Sequence, residues 1–279
     1  MDKKVLIVTG ASKGMGFQIV LKALQAGYAV VGTSRSAEKL EAQVKDAMGS
    51  TNYEFTALSM AFTEESIKAA IDAVMKKYSR IDVLVNNAGY AILGAVEEMS
   101  MNEVRANFDV NVFGLLAITQ AVLPHMRSQQ SGHIINLASI SGSVTGAAQG
   151  IYSASKAAVI MIGEALSEEV APFNIQVTSI CPGGVRTDFL DNSSMKRPEK
   201  QIAEYHVAAQ TMRSLDRLNH NQSGDPALVA DVILEVASMK QPPTRLYLGG
   251  SALAALQYKV NSIIADANRY VALSESIDN

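Results

Sequence analysis

The sequence contains one cysteine, Cys181, and no tryptophan. A lone thiol excludes an internal disulfide framework, and the neighbours Ile180 and Pro182 suit a small buried side chain in a reducing compartment. A surplus of one charge is also missing: 24 basic and 27 acidic residues leave a net −3, with no Lys/Arg cluster to match a phosphate backbone. Nucleic acid is therefore excluded as a partner. The histidines His125, His133, His206 and His220 show no metal-ligand spacing, and no carboxylate run forms a cation loop, so no catalytic metal is expected. Long apolar runs are absent as well. The longest stretch free of Asp, Glu, Lys and Arg, Ser128 to Ser155, is broken throughout by Ser, Gln, Gly and Asn, and the apolar start Val5 to Val8 is too short for a signal peptide. Membrane insertion is not expected, and the sequence reads as cytoplasmic. What is present is 279 residues, 48% hydrophobic and 18% charged, enough for one large core.

Short β-branched runs alternate with helical periodicity. Val5–Val8, Ala29–Thr33, Tyr53–Leu58, Val83–Val85, His133–Leu137 and Ile175–Ile180 are predicted strands, apolar on both faces as strands covered by two helical layers are. The predicted fold is α/β, a doubly wound parallel sheet with ligands at the carboxyl ends of its strands. After Thr187 the pattern turns irregular, with a mixed helical stretch near Glu199–Met212. A helix and strand at Pro226–Ser238 and Arg245–Leu248 then close the sheet. An amphipathic tail follows, with Leu253, Leu256, Val260, Ile263 and Ile264 on one side. That tail is expected to pack on its own domain, a subunit interface being the alternative. The division predicted is a single domain, 1–279, with a core at 1–187, a substrate lid at 188–222 and a closing segment at 223–279.

The first strand runs directly into Thr9-Gly10-Ala11-Ser12-Lys13-Gly14-Met15-Gly16. Glycines there let the backbone turn sharply and approach a pyrophosphate, and the following helix start favours its charge, so Gly10, Ser12, Lys13, Gly14, Met15 and Gly16 form a candidate dinucleotide cradle. At the end of the second strand stand Ser34 and Arg35, and no Asp or Glu occurs between Gly16 and Glu38. An acid there would take the ribose hydroxyls of NAD; Arg35, with Lys13 beside it, instead suits the extra phosphate of NADP, and NADP(H) is expected over NAD(H). Tyr152 and Lys156 are four apart, on one helix face, with Ser139 just after the fifth long strand. A cation beside a phenol favours the phenolate, so the pair predicts a proton donor of lowered pKa.

Thr9-Gly10…Gly14…Gly16, Asn86-Asn87-Ala88-Gly89, Asn111, Ser139, Tyr152…Lys156 and Pro182-Gly183…Thr187 together resemble the successive motifs of the short-chain dehydrogenase/reductase superfamily. The resemblance runs from about Val5 to Phe189. It implies that Tyr152 is the general acid and base for a carbonyl/alcohol substrate, that Lys156 binds the nicotinamide ribose, that Ser139 bonds the substrate oxygen and that Asn111 holds a water in a proton relay. It further implies that Asn87, Ala88 and Gly89 line the adenosine side and that Pro182, Gly183, Val185 and Thr187 meet the nicotinamide end. Met60 stands where members often carry an adenine-contacting Asp. The tail beyond Gly249 departs from the tetrameric members, which end near the closing strand; a homo-oligomer is expected without its type. Tyr90, Phe189, Tyr205 and Met212 are candidate substrate-pocket residues. Two alternatives accompany the reading of a ketone or aldehyde oxidoreductase. One is a cofactor-retaining epimerase or dehydratase, disfavoured by the glycine spacing; the other is an NADP(H)-responsive sensor, for which a proton-transfer set has no use.

Overall fold

The computed structural model describes residues 3–49 and 52–278. Strands and helices alternate as β1 (Val5–Val8), α1 (Gly14–Gln25), β2 (Ala29–Ser34), α2 (Ala37–Met48), β3 (Glu54–Ser59), α3 (Glu64–Tyr78) and β4 (Val83–Asn86). There follow β5 (Ala91–Ile92), α4 (Met101–Phe108), α5 (Leu115–Gln129), β6 (Gly132–Leu137), α6 (Gly150–Val170) and β7 (Ile175–Pro182). The last elements are β8 (Met195–Lys196), α7 (His206–Leu218), α8 (Pro226–Ser238), β9 (Arg245–Leu248), α9 (Gly250–Arg269) and α10 (Val271–Glu275).

Seven strands form one parallel sheet in the order β3-β2-β1-β4-β6-β7-β9, and β5 with β8 makes a separate two-stranded pair. The order reverses between β1 and β4, whose register sets Leu6 against Val83 and Val8 against Val85. The crevice at that reversal is where such sheets bind ligands. The strands are apolar on both sides because both are covered. Ile19, Val20 and Ala23 of α1, Leu40 and Val44 of α2 and Ile233 of α8 pack on one face. Ile67 and Ile71 of α3 and Ile118, Val122 and Met126 of α5 pack on the other. Each of the Ile, Val, Leu and Met side chains removed from water contributes about 1.5–3 kcal/mol. Local signals agree with the element ends: Ser36 and Thr63 accept the N–H groups of Lys39 and Ser66, and Asp225 caps α8 with Pro226 in its first turn.

The stretch Met101–Gln129 is apolar and long enough to cross a membrane. Ile118, Val122 and Met126 on it are fully buried against the sheet, which makes it a core helix.

Two expectations need correction. The helix predicted near Glu199–Met212 runs from His206 to Leu218, because carboxylates tie down the backbone N–H groups of the preceding residues: Glu103 accepts the N–H of Glu199 at 3.0 Å and Glu98 that of Ile202 at 2.9 Å. The tail does not pack on its own domain: of α9 and α10 only Ala252 is buried.

Candidate active site

The turns leaving β1 and β4 are tied together at the sheet's reversal point. Thr9 Oγ1 accepts the backbone N–H groups of Asn87 and Ala88, both at 3.0 Å. Asn87 Nδ2 donates to the carbonyls of Thr9 at 2.9 Å and Gly10 at 3.1 Å. This leaves no space for side chains: a Cβ on Gly16 would stand 2.4 Å from Asn87 Nδ2 and 2.5 Å from the Gly10 carbonyl. Gly10 and Gly14 take φ of +64° and +56°, where a side chain is strained. Helix α1 then begins after Lys13 with no side-chain cap and no acid in its first turn, so its leading amides are left for an external anion. The backbone at this end fits a dinucleotide pyrophosphate.

Ser12, Met15, Ser34 and Arg35 line the same cavity, whose volume is about 850 Å³. Arg35 is exposed, with no ion-pair or hydrogen-bond partner among the described residues. Ser34 is not free: its hydroxyl donates to the Ser36 carbonyl at 2.6 Å. Lys13 reaches across the cavity mouth to Ser193 Oγ, 2.7 Å away. At the end of β3, Met60 is buried and forms an apolar wall with Ala61 and Phe62.

Ser139, Tyr152 and Lys156 meet on the opposite wall. The Ser139 hydroxyl lies on the same wall, near enough to the Tyr152 phenol to favour its charged form. Lys156 Nζ donates to the Leu137 carbonyl at 2.7 Å and lies 6.0 Å from the centre of the Tyr152 ring. Burial dominates both groups: it pushes the Tyr152 phenol up to about 12, with Ser139 pulling the other way, and Lys156 down to about 8. The phenol is thus not lowered as the Tyr–Lys spacing predicts. The ammonium is itself desolvated and turned toward a carbonyl, so the loss of water outweighs its attraction for a phenolate.

Asn111 sits behind the cavity wall, 1% exposed, where the helix widens into a π turn at Asp109–Gly114. Its Nδ2 donates to the Tyr90 carbonyl at 2.9 Å and to Ser155 Oγ at 3.1 Å, and its Oδ1 accepts the Tyr90 N–H at 3.0 Å. Ser155 Oγ donates in turn to the Tyr152 carbonyl at 2.8 Å. A Cβ on Gly89 would lie 3.0 Å from Asn111 Oδ1 and 3.5 Å from Lys156 Nζ, so Gly89 fills the gap between them. The sequence reading missed Thr9, Asn107 and Ser155 as holders of this arrangement. Asn107, four residues before Asn111 and on the same helix face, donates to the same Tyr90 carbonyl at 2.9 Å; that spacing was the available signal.

Pro182, Gly183, Val185 and Thr187 line the cavity after β7, with Gly183 N–H bonded to the Leu248 carbonyl at 2.9 Å. Tyr90 and Phe189 are on the wall, the Phe189 ring centre 5.9 Å from that of Tyr152. Tyr205 and Met212 are not on it. Tyr205 turns outward to donate to Glu97, and Met212 is buried among Leu93, Met195 and Ala208 beneath α7. Leu215 and Leu218 of α7 face the cavity in their place. Beside it, Asp191 accepts from Asn219 at 2.6 Å and His220 at 3.1 Å, pinning the two ends of this segment together.

A nucleotide-binding turn and a Ser–Tyr–Lys set, Ser139 half-buried and Tyr152 and Lys156 buried, sharing one cavity define a dinucleotide-dependent oxidoreductase. The comparisons make the class specific. The short chain dehydrogenase family model matches residues 4–198. Over 250 residues, 90% of each chain, the protein is 33% identical to oxidoreductase BOA17 of Botryotinia fuckeliana. Over 255 residues, 89% of each chain, it is 34% identical to 3-ketodihydrosphingosine reductase of Bacteroides thetaiotaomicron. A short-chain dehydrogenase structure from Streptomyces avermitilis is 36% identical, with a TM-score of 0.90 over 100% of both chains. A Burkholderia phymatum member in complex with NAD is 25% identical, TM-score 0.84 over 95% of each chain. ElxO with NADP bound is 26% identical, TM-score 0.74, covering 91% of this chain and 100% of its own. The chain belongs to the short-chain dehydrogenase/reductase family of oxidoreductases, whose fold binds NAD or NADP.

Proposed function

We propose that the protein interconverts a ketone or aldehyde and the corresponding alcohol, with NADP(H) preferred over NAD(H) and Tyr152 moving the proton. The observation that carries this reading is the Ser139–Tyr152 hydroxyl pair standing on one wall of the cavity whose other end is the glycine turn. When bound, the cofactor supplies or takes up the hydride.

The rest falls to the chain's own groups. On reduction, negative charge grows on the carbonyl oxygen, and the Ser139 and Tyr152 hydroxyls both donate to it before Tyr152 gives up its proton. A phenol held near 12 is fully protonated at neutral pH, as a donor must be. Lys156, charged below about pH 8, supports the phenolate left behind. Asn111 acts as a positioning residue, fixing Tyr90 and, through Ser155, the turn of α6 that carries Tyr152. Ser12, Met15 and Asn87 to Gly89 would hold the adenosine and phosphate end of the dinucleotide, and Pro182, Gly183, Val185 and Thr187 its nicotinamide end. Arg35, free and cationic at the end of β2 with no competing acid, supports the choice of NADP(H). Leu93, Ile140, Phe189, Leu190, Leu215 and Leu218 give the substrate end an apolar wall, in keeping with a relative named for a keto substrate.

Parallel titrations with NADPH and NADH, read by nicotinamide fluorescence and followed by a panel of aldehydes and ketones, test the proposal. Tighter NADPH binding with carbonyl-dependent oxidation is expected. Tight binding without turnover would replace the enzyme by a sensor, and absence of binding would remove the cofactor reading altogether. Arg35→Asp should weaken NADPH about tenfold or more relative to NADH, since a charge-assisted phosphate contact becomes a repulsion; equal losses would take Arg35 out of the specificity role.

A further inference from the structure

Helix α9 touches the body only through its first turns, and from Gln257 to Asp278 every residue is exposed. Its apolar residues are regularly spaced. Leu253, Leu256, Val260, Ile263, Ala267 and Tyr270 follow one another at alternating intervals of three and four. This is the spacing of a coiled-coil seam, with Ile264, 52% exposed, apolar on its flank. Leu253, Val260 and Ile263 are 43–54% exposed, a contiguous apolar strip that soluble proteins cover.

We propose that the seam is covered by the same helix of a second copy, running antiparallel in a two-fold dimer. The sequence is complementary to itself in that arrangement. With Val260 opposite the partner's Ile263, the axis passes between Asn261 and Ser262. Leu256 then meets the partner's Ala267, large against small, and Leu253 meets the partner's Tyr270. In the same register Lys259, flanking the seam, faces the partner's Asp266, and Asp266 faces the partner's Lys259, so both symmetric ion pairs form at once. A parallel pair would set Lys259 beside the partner's Ile264 and form neither. The opposite face, Tyr258 apart, carries Ala254, Asn261, Ser262, Ala265 and Asn268, leaving a single seam. Its one basic residue is Arg269, far short of the basic face by which an amphipathic helix holds an anionic membrane.

Sedimentation velocity on the full chain tests the dimer. The wild type is expected to dimerise, and Ile263→Asp, which lies far from the cavity, to raise the dissociation constant on the order of a hundredfold or more while leaving NADPH affinity unchanged. Lys259→Asp and Asp266→Lys should each weaken the dimer about fivefold, and the two together should restore it. A monomeric wild type, or a dimer indifferent to Ile263→Asp, overturns the proposal. A dimer whose charge swaps do not rescue one another overturns the antiparallel register. Flotation of a monomeric wild type with phosphatidylglycerol vesicles, lost in Ile263→Asp, would assign the helix to a membrane surface instead.

Discussion

Two regions enclose the cavity, and they are held by different forces. The rim, made by the ends of β1, β4, β6 and β7, is fixed by buried contacts: Thr9 and Asn87 lock two turns together, and Asn86 Nδ2 bridges to Asn136 at 2.9 Å and Thr119 at 3.0 Å. The segment over it, from Asp188 to Gln222, buries little; α7 contributes only Ala208 and Met212 to the interior. It is held instead by polar bonds, from Lys13 to Ser193, from Glu98 and Glu103 to its backbone and between β5 and β8, while Arg197 and Asp216 pair within it. Elements with few buried contacts lie at the low end of local stability and are the ones that open and close. On the proposed function the difference would separate chemistry from access, with the stiff rim setting the reacting geometry and the lightly held cover admitting the substrate.

That contrast can be broken at the rim with the largest effect. Tyr152→Phe should lower turnover at least about a hundredfold while leaving NADPH affinity nearly unchanged, as steady-state kinetics and fluorescence titration will show. Near-normal turnover would move the proton donor elsewhere. Acid should act on the rim's strand β6 through His133, whose imidazole is held down to about 4 by burial, with Nδ1 unpartnered. The unfolded histidine takes its proton near 6.5 and the folded one only near 4, so stability is lost as pH falls through that window, by up to about 3 kcal/mol. Urea unfolding at pH 7 and pH 4 should show this loss, and His133→Leu should flatten the slope.

Smaller effects sharpen the comparison. Gly16→Ala forces a Cβ into backbone and should cost about 1–3 kcal/mol in thermal unfolding, together with cofactor affinity. Lys156 predicts opposite signs for activity and stability. Carbonyl reduction, followed as kcat/KM, should fall as pH rises through about 8, because the ammonium discharges while Tyr152 keeps its proton to about 12. Stability should instead rise between 8 and 10.5, since the unfolded lysine there binds the proton that the folded one has released. At the cover, Arg197→Ala should change unfolding free energy by less than about 1 kcal/mol and appear in KM alone. A large loss of stability there would make the cover part of the core.

What the sequence revealed follows the same division. Strand positions and the glycine turn were legible because they rest on local periodicity and on backbone shapes that glycine alone adopts. The cover was not. Tyr205 and Met212 look like pocket residues by type, yet Tyr205 is turned out by Glu97, more than a hundred residues earlier, and Met212 is packed beneath Leu93. Such choices depend on distant carboxylates and on a helix start that the chain itself does not mark. The pKa of Tyr152 escaped for a related reason: the spacing to Lys156 is visible in the sequence, whereas the depth at which both are buried is a property of the whole sheet.

The π turn at Asp109–Gly114 carries a consequence for how this chain tolerates change. Such a turn holds one residue more than an α-helical turn needs, so deleting a single residue there would let α4 and α5 run as one regular helix. Everything on the upstream side would then rotate by roughly 100° relative to the sheet, taking Asn107 and the bond to Tyr90 away from the cavity. The stretch is thus a place where a more regular backbone and a working enzyme are alternatives, and length changes here will be filtered by activity long before they are filtered by folding.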